Sequence, residues 1–179
     1  MDKKAAMEMS VGTIVTIVLL MTVLVLGIVL IKQIFGGAVN VVDMTNEQLT
    51  SEINKLFGEN KELVIYPSSR KVSIKQEESN GFGIGIKNLV KGVSGTKTFS
   101  YNVSVADAGD CGLTKEEIGK WIVIGKSESD IKIPVNGIYT PKIVLTIPKG
   151  SPLCTFKVRV EVEMEGTVYA SDSVIIEVK

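Results

Sequence analysis

Few side chains in this sequence have types and spacing that could do chemistry. Asp107 and Asp110 stand with backbone carbonyls in VADAGDCG, oxygen donors of the kind that hold calcium. They lack the spacing of an EF-hand and its terminal glutamate. Gly81, Gly83 and Gly85 in GFGIGIKN have the composition of a phosphate loop. The spacing is neither GxGxxG nor that of a Walker loop, and the intervening residues alternate as in a strand. These glycines are read instead as places where another backbone or an aromatic ring lies close. Asn102-Val103-Ser104 is an N-glycosylation sequon, with Asn102 on the polar side of its strand. The chain contains no histidine, which removes Ser-His-Asp chemistry, His-ligated zinc and His proton shuttling. Nothing brings together a nucleophile, a base and an oxyanion donor. The expectation is a non-enzymatic protein with no cofactor and no metal.

Cys111 and Cys154 are too few for a zinc site of the usual kind and too far apart for a CxxC motif. In an external compartment they are expected to pair; two separate buried thiols are the other reading. The chain carries 20 basic and 20 acidic side chains, a balance that argues against a nucleic-acid footprint and against polybasic lipid binding by the domain.

The element that organises everything else is the run Val11–Ile31, free of charge, Asn, Gln and Pro. As a helix it spans about 31 Å, near the hydrocarbon thickness of a bilayer. A soluble domain could bury it only by surrounding it on all sides, and the rest of the chain has a core of its own to fill. Lys3, Lys4 and the amino terminus precede it and Lys32 follows, which favours a cytoplasmic N terminus and an external C-terminal domain. The apolar stretch is too long for a cleaved secretory signal, whose only candidate site is Gly36-Gly37-Ala38. The expected division is a cytoplasmic segment over 1–10, a membrane-spanning helix over 11–38, a connector over 39–61 and an extracellular domain over 62–179.

In the connector, Thr45 and Gln48 have capping-box spacing. Leu49, Ile53, Leu56 and Phe57 recur at helical spacing, and Gly58 is the expected C′ residue. From Glu62 onward the period is two. The clearest strand sets Cys154, Phe156, Val158, Val160, Val162 and Met164 against Thr155, Lys157, Arg159, Glu161 and Glu163. Eight or nine such strands, with one helical turn at TKEEIGK capped by Thr114, predict an all-β immunoglobulin-like sandwich behind the long N-terminal helix and the short amphipathic one. Clean alternation predicts one wet face for each sheet. Trp121, Phe99 and Phe156 are assigned to the core.

Lys4-Ala5-Ala6-Met7, a basic residue and small residues leading directly into an apolar helix, resembles the class III signal of archaeal type IV pilins and archaellins. The resemblance implies a cut between Ala5 and Ala6 on the cytoplasmic side, with the helix retained. Glu8 would then be the third mature residue, whereas bacterial-type pilins carry their glutamate at the fifth. It implies a structural subunit whose helices bundle with copies of themselves or with other pilin-like subunits. Gly12, Thr13, Thr16, Thr22 and Gly27 are small or hydroxylated residues of the kind that let apolar helices approach. An uncut anchor fits the same N-terminal residues. The second reading is therefore a binding module, adhesin-like or resembling archaellum stator-type proteins in architecture alone, that engages a cell-envelope or surface-layer protein. Membrane lipid is a partner in both readings.

Overall fold

A computed structural model describes residues 3–36, 40–90 and 95–179, with side chains of the first helix described over 12–30. The chain divides into two compact units, Met1–Ala38 and Val39–Lys179. The first is the helix α1, Lys3–Gly36. Its stretch Gly12–Leu30 has the length and apolarity to cross a membrane, and every side chain in that stretch is exposed.

The second unit begins with a 3₁₀ turn over Val41–Asp43 and the helix α2, Asn46–Leu56. Thr45 caps α2 as its spacing predicts: its hydroxyl accepts from Gln48 N at 3.2 Å, and the Gln48 side chain accepts from Thr45 N at 3.0 Å. The strands follow as β1 (Leu63–Tyr66), β2 (Lys71–Ile74), β3 (Ser79–Lys87) and β4 (Thr96–Asp107). After the short helix α3 (Lys115–Gly119) come β5 (Ile122–Ile124), β6 (Ser127–Pro134), β7 (Ile138–Tyr139), β8 (Lys142–Thr146), β9 (Thr155–Met164) and β10 (Thr167–Val178).

These strands form two five-stranded sheets. The first runs β1-β3-β8-β5, with β7 also paired to β3; the second runs β2-β10-β9-β4-β6. Pairing is antiparallel except for β2 beside β10. Phe82, Ile84 and Ile86 of β3 share one hydrophobic cluster with Phe99 and Val103 of β4 and Phe156, Val158 and Val160 of β9. The fold is thus mostly β, preceded by one apolar helix.

One buried and one half-buried polar side chain join the sheets, as polar groups withdrawn from water must find partners. Asn88 is fully buried and its amide donates to Ile133 O at 2.9 Å, tying the end of β3 to β6. The Tyr169 hydroxyl donates to Lys87 O at 2.9 Å and accepts from Leu89 N at 3.0 Å. Tyr169 sits where β10 shifts register between Val168 and Ala170, and its ring meets Phe99 edge-on with centroids 5.1 Å apart.

The first sheet differs from the expected wet-faced one. β3 is buried along nearly its whole length, on both faces. Its outer side carries Gly83 and Gly85, over which α2 lies. A β-carbon at Gly83 would sit 2.6 Å from Leu49 Cδ1, and one at Gly85 would sit 2.7 Å from Phe57 Cε2. Val41, Leu49, Ile53 and Val64 form a second buried cluster there. Asn80 Oδ1 accepts from Val41 N at 3.1 Å, and Lys142 Nζ donates to Met44 O at 2.6 Å. The connector is therefore part of the β unit, which begins at Val39 rather than at residue 62.

Gly58 follows the C-cap Phe57 and so holds the expected C′ position, but its backbone is not left-handed. The chain leaves α2 through Phe57 in an extended conformation (φ −73°, ψ 114°), and the Phe57 ring packs on Gly85 beneath Lys87 Nζ, 5.8 Å from the ring centroid. At β5 a register shift falls between Ile122, which is buried, and Ile124, which is 58% exposed.

Candidate membrane helix and surface groove

The helix stretch Gly12–Leu30 is apolar around its whole circumference, so no side is set aside for packing on a polar domain. Two of its hydroxyls bond back into the helix: Thr16 Oγ1 donates to Gly12 O at 2.8 Å and Thr22 Oγ1 to Val18 O at 2.7 Å. This removes the cost of carrying them into hydrocarbon. The side chains of Ala5, Ala6 and Glu8, with those of Lys3, Lys4 and Lys32, lie outside the described residues, as do Gly37 and Ala38 altogether.

Cys111 and Cys154 are joined in a disulfide with Cα atoms 4.9 Å apart. It anchors the loop after β4 to the start of β9. Asp110 Oδ1 accepts from Thr155 N at 2.6 Å and Asp107 Oδ1 from Gly109 N at 3.0 Å. The two aspartates considered as calcium ligands thus brace this corner of the backbone. Trp121 meets Phe156 edge-on close by in the main core, with centroids 5.6 Å apart.

Asn102 is exposed on the outer face of the second sheet, beside a groove of about 350 Å³ that Glu128, Glu161 and Glu163 also line. Val103 between Asn102 and Ser104 points into the core, so both polar residues of the sequon face outward. The Tyr139 hydroxyl donates to Glu128 Oε2 at 2.7 Å. Burial, then the Glu128 charge, pushes the Tyr101 phenol up to about 12; burial and the bond to Glu128 raise Tyr139 as well. The Tyr139 phenol therefore stays neutral at ordinary pH and acts as a donor to the Glu128 carboxylate. The groove's Ser100, Ser127 and Ser129 and the phenol pair were not singled out by sequence; only the polar side of the β4 alternation pointed to this face.

No family model matches the sequence, and no curated protein matches it. Among solved structures, similarity is found to a family 123 glycoside hydrolase from Clostridium perfringens at 12% identity and a TM-score of 0.42. The aligned region covers 73% of this chain and 25% of that one, so the chain spans about a quarter of that enzyme. A CARDB domain of a Pyrococcus furiosus protein is similar at 9% identity and a TM-score of 0.39, over 65% of this chain and 87% of that one. A Niemann-Pick type C2 protein from Japanese carpenter ant is similar at 17% identity and a TM-score of 0.32, over 66% and 90%.

Proposed function

We propose that this chain is a non-enzymatic, membrane-anchored cell-surface protein, a pilin-like subunit of an archaeal type IV pilus or a related surface filament. In this reading α1 crosses the bilayer with its N terminus in the cytoplasm. The β unit, taken as an immunoglobulin-like sandwich, stands outside. One observation carries the reading: a stretch of helix apolar on every side and buried nowhere, in the same chain as a β unit with its own cores and a disulfide. The disulfide supports an external location, because such bonds persist in oxidising compartments.

Processing between Ala5 and Ala6 would remove Lys3 and Lys4, the charges that hold the N terminus at the cytoplasmic surface. The helix would then be free to leave lipid for a bundle of like helices, with Glu8 offsetting the new amine in the same or an adjacent subunit. The test is the N-terminal residue of the protein isolated from its native envelope, read by mass spectrometry, together with its size in detergent. The expected result is a chain beginning at Ala6 that enters higher-order species. A chain that begins at Met1 or Asp2 and is monomeric overturns the filament reading in favour of an anchored module that binds a surface-layer or other envelope protein.

A further inference from the structure

We propose that the outer face of the second sheet is a self-complementary contact that receives a second copy of this chain in antiparallel, two-fold register. The inference goes beyond the membrane reading, since it concerns the β unit alone and holds whether or not the N terminus is cut.

The outward positions of β9 read Lys157, Arg159, Glu161, Glu163: two cations, then two anions, in one line. None of the four forms an ion pair among the described residues, although the same sheet carries Arg70–Asp172 at 2.8 Å and Lys71–Glu177 at 3.1 Å at its β2 side. The register explains why. Arg159 lies between Ser104 of β4 and Ser173 of β10, and Glu161 lies between Asn102 and Ser171. These neighbours are short and uncharged, so neither Arg159 nor Glu161 has a charged partner directly across the sheet. Asp107 is opposite Lys157, but its Oδ1 accepts from Gly109 N, and it forms no ion pair among the described residues. Glu128, which borders the same groove as Glu161 and Glu163, extends the anionic end.

Such a line complements itself in only one face-to-face arrangement. A two-fold axis lying in the face and perpendicular to β9, between positions 159 and 161, reverses the strand. It sets Lys157 against Glu163 and Arg159 against Glu161, and lays β4 over β4. An axis parallel to the strand would set like charges against each other. Exposed ion pairs are individually weak. The contact is therefore salt-sensitive and suited to molecules concentrated by a shared membrane or filament, where tethering supplies the local concentration.

Zero-length carbodiimide coupling of the full-length protein in lipid vesicles tests this. Within one copy Lys157 and Glu163 are six residues apart on a strand, about 20 Å, too far for an amide to join their side chains. A Lys157–Glu163 linked peptide therefore reports contact between copies, and heavy–light pairs in a mixture of isotope-labelled and unlabelled protein prove it. The expected result is that this peptide forms, and that its yield falls about tenfold near 1 M salt, where screening is nearly complete beyond about 3 Å. Arg159→Glu should lower the yield to a similar degree while leaving both coupled groups in place. The swap Arg159→Glu with Glu161→Arg should restore it. Absence of the linked peptide in the unaltered protein, or a yield indifferent to Arg159→Glu, overturns the proposal. Neither outcome bears on the N-terminal residue, so this face and the filament reading fail separately.

Discussion

At the residue scale, three glycines on one side of β3 differ in how much their neighbours can give. A β-carbon at Gly83 meets the tip of Leu49, a flexible end. One at Gly81 runs into the backbone carbonyl of Ile143 on the paired strand β8, which cannot move without breaking the ladder. Gly81→Ala should therefore destabilise more than Gly83→Ala, by about 1–3 kcal/mol as for an overpacked core. Chemical denaturation of the two variants, compared at the midpoint, checks the order. The phenol beside Glu128 gives a second prediction. Tyr101 titrates at about 12 in the fold against 10.0 in the unfolded chain. Its contribution is intact below pH 10 and is lost as pH rises from 10 towards 12, because the unfolded chain ionises first. Tyr66, Tyr139 and Tyr169 are raised too, so Tyr101→Phe should reduce the slope of stability against pH in that window without abolishing it. A thermal-melt series from pH 9 to about 12 reads the slope, and equal slopes for both proteins would disprove the assignment.

At the element scale, α2 is the helix that makes the first sheet a buried layer. Leu49 and Ile53 are 1% and 0% exposed and form the second cluster with Val41 and Val64. Leu49→Ala should cost about 2–5 kcal/mol, the range for a fully buried leucine, and Thr45→Ala about 1 kcal/mol through the lost cap. A fragment beginning at Glu62 should be less stable than one beginning at Asn40, because β3 would present its glycine side bare; urea melts of the two fragments decide it. Both helix starts were legible in sequence, since Thr45 with Gln48 and Thr114 with Glu117 carry their signal within four residues. The β9 strand was equally plain, because one of its faces is wet. The outer face of β3 was not legible: a row of glycines says that something lies close, and its identity depends on a helix some thirty residues earlier in the chain. Asn88 and Tyr169 gave no local signal; their partners, Ile133 O and Lys87 O, come from distant strands.

At the scale of the whole molecule, the disulfide closes a loop of sequence separation 43 that contains α3, β5, β6, β7 and β8. Reduction, or the double change Cys111→Ala and Cys154→Ala, should lower stability by about 3–4 kcal/mol through the freed loop alone. Denaturation with and without reductant measures it. The docking of the 3₁₀ turn and α2 also decides how the β unit bears a load. Among the described residues of the β unit, tension applied at its N-terminal end first reaches a fixed point at Val41, held by Asn80 of β3, with Lys142 of β8 gripping the next turn through Met44 O. Those two strands are neighbours inside the first sheet, so the pull is shared across its middle instead of unzipping an edge. In a force ramp the turn and α2 should yield first, releasing residues 41–62 for about 70–80 Å of added contour at full extension. Both sheets should remain closed behind them, the arrangement of a crumple zone placed ahead of a rigid frame.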